Sequence, residues 1–176
     1  MILKKNRKRR KKKIVAFLDR DGVINYDKGY ISSFSNIKFR PGVIKGLQLL
    51  TKKKHLIYII TNQAGIAKGH FKLKELLLLN KKLISFLKNK KIKINGIKFC
   101  PHHPKALIKR YKINCKCRKP NNFLIKQVFK KIKIDTKNSF MIGDRKKDKI
   151  AAFKSGLRFQ FAKNNFYYQI KDILNK

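Results

Sequence analysis

Apolar residues occur along this chain in short runs near 14–19, 55–61, 95–100, 138–143 and 157–162, each closed by small or polar residues. Between these runs lie longer stretches, near 42–53, 72–90, 122–133 and 148–155, whose apolar positions recur at helical spacing. Short unbroken apolar runs fit strands buried on both faces. Their alternation with amphipathic helices predicts an α/β fold, a doubly wound parallel sheet with helices on both sides. At 176 residues the chain suits one such domain with a sizeable core. Leu76–Leu79 falls in the second helical stretch and predicts a helix packed on the sheet; four apolar residues are too few to span a membrane.

The first run, Ile14 to Leu18, stops on Asp19-Arg20-Asp21-Gly22. Acids are scarce, 8 against 48 lysines and arginines, so two of them spaced by one residue at a strand end demand a reason. Ligands of open α/β sheets bind at the carboxyl ends of the strands, and extended side chains alternate, so Asp19 and Asp21 face the same way. Carboxylates held that close need a cation or a proton between them. The pair reads as a metal-assisted phosphoryl-transfer site; in a surface turn the same pair would carry no chemistry. After the second run, Thr61-Asn62-Gln63-Ala64-Gly65 supplies a hydroxyl and small residues between strand and helix, a phosphate-binding turn. The fourth run, Ser139 to Gly143, leads into Asp144-Arg145-Lys146-Lys147-Asp148. Arg118-Lys119-Pro120 places two cations before a proline expected to open the next helix at its first turn.

The three cysteines, Cys100, Cys115 and Cys117, fall within eighteen residues, beside His102 and His103. Cys-x-His followed by Cys-x-Cys supplies the four ligands of a closed, structural Zn²⁺ site. Cys100, His102, Cys115 and Cys117 are the expected set, with His103 as the alternative to His102; unbound reduced thiols are the other reading. Zinc would tie the 100–117 loop at both ends.

Taken in order, acid pair, hydroxyl, lysine, acid pair, the chain resembles the haloacid dehalogenase-like (HAD) phosphohydrolases. The resemblance implies a Rossmann-like HAD domain and a role for each motif residue. Asp19 would be the nucleophile that forms an aspartyl-phosphate. Asp21 would protonate the leaving alkoxide and then activate water. Thr61 and Lys119 would hold the phosphoryl oxygens. Asp19, Asp144 and the Asp21 backbone carbonyl would bind Mg²⁺, a hard ion that takes oxygen ligands. Asp148 would orient Lys119 or favour the helix start, with direct metal ligation as a lesser alternative. The stretches FLDRDGVIN, TNQAGIAKG, FCPHHP, CKCRKP and MIGDRKKD, with Asp27-Lys28-Gly29-Tyr30, are similar to the heptose bisphosphate phosphatases, relatives of the histidinol-phosphate phosphatases. That likeness covers roughly residues 14–162. It implies D-glycero-D-manno-heptose 1,7-bisphosphate as substrate, with loss of its carbon 7 phosphate on the way to lipopolysaccharide core sugar. It also implies that Arg118 reaches the substrate, that the Asp27–Tyr30 loop lines the pocket with Asn62, Gln63 and Ala64, and that Arg145, where lysine is usual, sits beside the metal. Asn121-Asn122 replaces a more common His-Pro.

Only about forty residues separate Asp21 from Thr61, too few for a separate cap, so substrate choice falls to loops. The net charge of +40 fits global drift toward lysine better than a nucleic-acid surface, because lysine recurs on nearly every element and Glu75 is the lone glutamate. Nucleic acid is therefore expected to bind non-specifically if at all, although a basic, zinc-stapled binding protein is the rival class of function. Lys4–Lys13, nine basic residues in ten, reads as a disordered arm preceding a domain over 14–176. No secretory signal or membrane span is expected. Zinc-bound thiols fit the reducing cytoplasm, and a monomer is expected.

Overall fold

The computed structural model describes residues 11–175. Five strands, β1 (Val15–Leu18), β2 (Leu56–Asn62), β3 (Gly96–Cys100), β4 (Phe140–Gly143) and β5 (Arg158–Phe161), form one sheet in the order β3-β2-β1-β4-β5. All four pairings are parallel. The expected two-sided burial is visible residue by residue. Ala16 and Leu18 of β1, Ile57 and Ile59 of β2 and Phe140 and Ile142 of β4 pack on one face. Val15, Phe17, Ile60 and Met141 pack on the other.

Helices α1 (Val43–Lys52), α2 (Leu73–Asn89) and α5 (Phe166–Leu174) cover the first face, α3 (Phe123–Phe129) and α4 (Lys146–Phe153) the second. The leucine run in α2 divides by helical phase: Leu76 and Leu79 are buried, Leu77 and Leu78 about half exposed. Leu83 and Leu87, further along, reach the sheet core, each contributing about 2 kcal/mol by burial. Among the described residues no helix is long and apolar enough to cross a membrane.

Three local expectations are corrected. The helical stretches read from the sequence end at 155, yet α5 follows, burying Phe166, Ile170 and Ile173 behind an Asn165 side chain that accepts from the Tyr167 and Tyr168 amides. Helix α3 stops at Phe129 rather than near 133, because Ile134 and its neighbours pair with Lys13. Pro120 does not open α3. The Asn62 side chain holds both the amide and the carbonyl of Lys119, at 3.0 and 3.1 Å, so the chain is still tethered to β2 there. A turn closed by Asn121 N–H to the Arg118 carbonyl intervenes before the helix begins at Phe123. Residues 1–10 of the basic arm expected over 1–13 lie outside the described residues, and Lys13 pairs with Ile134.

In this strand order β1 is central. The chain leaves it toward β2 and β3 on one side, and later adds β4 and β5 on the other. That reversal opens a crevice at the carboxyl ends of β1 and β4, where such sheets bind ligands. Between β1 and α1 the chain makes only a short flap, pinned by an Asn25–Phe39 bridge, and no cap domain intervenes.

Candidate active site

The crevice is a cavity of about 420 Å³, and most of the residues singled out in the sequence line it. Asp19 and Asp21 follow β1, Thr61 and Asn62 end β2, and Asp144 follows β4. Gln63, Ala64, Asp27, Gly29, Tyr30, Arg118 and Arg145 complete the expected set. Lys28 lines an adjoining groove instead. Lys119 lies beneath the floor, 2% exposed.

The two motif carboxylates do not share a cation; each has its own. Asp19 Oδ1 accepts from the Arg20 amide at 2.7 Å, and its Oδ2 lies 2.8 Å from Lys119 Nζ. Lys119 is also 2.7 Å from Asp148 Oδ1 and donates to the Ile60 carbonyl at 2.8 Å, so its ammonium has an oxygen neighbour on three sides. Burial pushes the Asp19 carboxyl up to about 6, with Lys119 opposing and Asp148 adding to the rise. Burial alone would lower Lys119, but Asp19 and Asp148 outweigh it and hold the ammonium above the usual lysine value.

Asp21 is gripped on both oxygens. Oδ1 accepts from Arg20 Nε at 3.1 Å and Asn25 Nδ2 at 2.9 Å, and Oδ2 from Arg20 Nη2 at 3.0 Å and Gln63 Nε2 at 2.8 Å. Gln63 Nε2 also donates to Thr61 Oγ1 at 2.9 Å, so one amide links the second acid to the candidate phosphate-binding hydroxyl. Arg20, fully buried, was not among the expected site residues. Its signal was a cation standing between two acids at the end of a buried strand.

Asp148 satisfies both structural readings at once. Oδ1 faces Lys119, and Oδ2 accepts from the Arg145 amide at 3.0 Å, capping α4. Gly143 makes room for it: a Cβ there would come within 2.3 Å of the Asp148 Cβ. Gly22 does the same for Asp144, adopting φ +80° where a side chain would collide with the carboxylate at 2.4 Å. Arg145 bridges Asp144 Oδ2, at 3.4 Å, and Asp27 Oδ2, at 2.6 Å.

Oxygens of Asp19, Asp144 and Asp148 lie within 4.8 Å of one another. Asp144 Oδ1 is buried without a hydrogen-bond donor, and burial, then Asp148, raises its pKa. A donorless buried carboxylate oxygen among hard ligands fits Mg²⁺.

A second cluster closes the end of β3. The Sγ atoms of Cys100, Cys115 and Cys117 are 3.1–3.4 Å apart, and His102 Nδ1 is 3.3 Å from Cys117 Sγ. Around a tetrahedral Zn²⁺ with Zn–S bonds of about 2.3 Å such separations would be ~3.8 Å, so the four groups need only a slight expansion to hold the ion. Burial pushes the Cys100 thiol up, whereas at Cys115 hydrogen bonds from Cys117 and Cys100 overcome burial and lower it. His103 is not in this cluster; its Nδ1 accepts from the Lys105 amide at 3.0 Å and it lines the active-site cavity. Burial, then Arg118, Lys68 and Lys105, lower its pKa. Arg118 Nη1 donates to the His102 carbonyl at 3.2 Å, coupling this cluster to the cavity. Lys68 and Lys147 also line the cavity without having been expected there. Lys68 donates to Tyr30 Oη at 2.8 Å, while Tyr30 stacks on His70 with ring centroids 3.8 Å apart.

Comparison with known proteins agrees with this geometry. The HAD-hydrolase-like family model matches residues 116–168. The D-glycero-beta-D-manno-heptose-1,7-bisphosphate 7-phosphatase of Haemophilus influenzae is 40% identical over 75% of this chain and 71% of its own. The protein of the same name from Rhodopseudomonas palustris is 33% identical over 90% of this chain and 89% of its own. The crystal structure of D,D-heptose 1,7-bisphosphate phosphatase from B. bronchiseptica, complexed with magnesium and phosphate, superposes with a TM-score of 0.76 at 25% identity, over 91% of this chain and 86% of that one.

Proposed function

Because the chain belongs to the heptose bisphosphate phosphatase family of HAD-like phosphoric monoester hydrolases, we propose that it removes the phosphate at carbon 7 of D-glycero-D-manno-heptose 1,7-bisphosphate. The sugar would serve lipopolysaccharide core synthesis, and the enzyme would act as a cytoplasmic monomer. The observation that carries the proposal is Asp19 itself, fixed at the cavity floor by Lys119 on one oxygen and the Arg20 amide on the other.

Asp19 attacks phosphorus in line and becomes an aspartyl-phosphate. Lys119 keeps it anionic and oriented, and transfers one of its hydrogen bonds to a phosphoryl oxygen as the charge on Asp19 is consumed. Thr61 Oγ and the turn through Asn62, Gln63 and Ala64 bind the remaining oxygens. Asp19, Asp144 and the Asp21 carbonyl would hold Mg²⁺, which would supply neutralisation of phosphoryl charge. Asp21 gives its proton to the leaving alkoxide and later takes one from the attacking water. Its four present donors occupy every lone-pair position, so it exchanges one of them to reach the leaving oxygen. Cys100, His102, Cys115 and Cys117 would hold Zn²⁺, which would fix the loop that carries His103 and Arg118 to the cavity rim.

The test is phosphate release by Mg²⁺-loaded protein from the heptose bisphosphate, histidinol phosphate and a polynucleotide 3′-phosphate, with Asp19→Asn as blank. Selective turnover of the heptose ester supports the proposal. Preference for histidinol phosphate moves the substrate and keeps the chemistry. Absence of turnover from all three by folded protein removes the phosphatase reading and leaves the basic, zinc-stapled nucleic-acid binder.

A further inference from the structure

Lys147 occupies an unfavourable position. It is the second residue of α4, where the helix macrodipole favours anions. It is half-buried against the cavity wall, with Lys119 and Arg145 as cationic neighbours. Among the described residues no carboxylate lies within ion-pair distance of it, although Asp19 and Asp148 are near enough to oppose that repulsion. Burial, then Lys119 and Arg145, lower its pKa. The other cations around the nucleophile are already engaged: Lys119 by Asp19, Asp148 and Ile60, Arg20 by Asp21 and Gln63, Arg145 by Asp144 and Asp27. Lys147 alone of these brings an unpaired ammonium to the cavity.

We infer that Lys147 is a substrate contact whose ammonium binds the oxygens of the transferring phosphoryl group, and of inorganic phosphate after release. An arriving dianion supplies the acceptors that the fold withholds, and it relieves the repulsion among Lys119, Lys147 and Arg145. Binding then comes with little rearrangement of the floor. The inference rests on the phosphatase reading for the identity of the anion, and on geometry for its place.

The experiment measures inorganic phosphate binding by calorimetry, and KM for p-nitrophenyl phosphate, on Mg²⁺-loaded wild type, Lys147→Met and Lys147→Arg. Lys147→Met is expected to weaken phosphate about tenfold and to raise KM by a similar factor, the scale of one charge-assisted contact. Lys147→Arg should stay within about threefold of wild type. The melting temperature of Lys147→Met should equal or exceed that of wild type, because an unpaired half-buried cation is removed. Unchanged phosphate affinity in Lys147→Met overturns the inference, as does an effect confined to a bisphosphate substrate, which would place Lys147 at the remote phosphate. A loss shared by both variants with a lowered melting temperature overturns it too, since that marks a structural role. If wild type hydrolyses no ester while its phosphate affinity still depends on Lys147, the activity reading fails and the contact stands.

Discussion

Two clusters of ligating side chains lie at the carboxyl edge of the same sheet, and they hold together differently. The carboxylate cluster carries its own cations: Lys119 between Asp19 and Asp148, Arg20 on Asp21, Arg145 on Asp144 and Asp27. The thiol cluster has only shared protons and one imidazole. The first is therefore organised before any metal arrives, and a metal adds chemistry to a site already formed. The second would be fixed by Zn²⁺, because until an ion bonds them its four ligands are joined only by weak thiol hydrogen bonds. Five of the 8 acidic residues of the chain, Asp19, Asp21, Asp27, Asp144 and Asp148, are spent on the first cluster.

The contrast can be broken from either side. The largest effect is expected for Asp19→Asn, which should reduce phosphate release by about 10⁴-fold or more while leaving the melting curve nearly unchanged; substantial residual activity would remove Asp19 from the nucleophile's role. Lys119→Met leaves two buried carboxylates facing each other. Denaturant unfolding should show a loss of about 3–5 kcal/mol, and a loss well below 1 kcal/mol would mean that the ammonium does not organise the cluster. On the other side, chelation of zinc or Cys117→Ser should destabilise by about 3 kcal/mol, a shift of roughly 6–12 °C in Tm. That change should raise KM more than it lowers kcat, since Arg118 and His103 hang from that loop; an effect on kcat alone would refute the division of labour.

The smallest effect concerns protons. In metal-free protein Asp19 titrates near 6, above the ordinary 3.8, because burial disfavours its charge. The sign follows from linkage: the folded state holds this proton more tightly than the unfolded one, so its contribution to stability is full at low pH and is lost as pH rises through about 6. Metal binding must expel the same proton. Mg²⁺ affinity should therefore weaken by about tenfold between pH 7 and pH 5, measurable by titration at the two values; a pH-independent affinity would place the metal away from Asp19.

How much of this was legible in the sequence depends on the range of the interaction. The strands and four of the helices follow from local periodicity, and α5 carried the same signal in the spacing of Phe166, Ile170 and Ile173. The acids that end β1 and β4 announce themselves because each follows an apolar run. The grip of Gln63 on Asp21 and Arg20, the clamp of Asn62 on Lys119 and the collision with Asp144 that demands glycine at 22 join residues far apart in the chain. No local pattern encodes them. Pro120 shows the same limit: proline favours the first turn of a helix, but the tether on the preceding residue decides where the helix begins.

Cys100 belongs to both clusters. Its thiol sits in the Cys/His cluster that could hold zinc, and its backbone carbonyl accepts the Gln63 amide at 2.8 Å, the residue that bridges Thr61 and Asp21. The carboxylate centre contains no atom that mild peroxide attacks, yet through this one residue it borrows the vulnerability of sulfur. Oxidant that converts the thiolates to disulfide would eject the zinc, loosen the end of β3 and disturb Gln63, so a hydrolase with no redox step of its own would lose activity under oxidative stress and recover it with reductant and zinc.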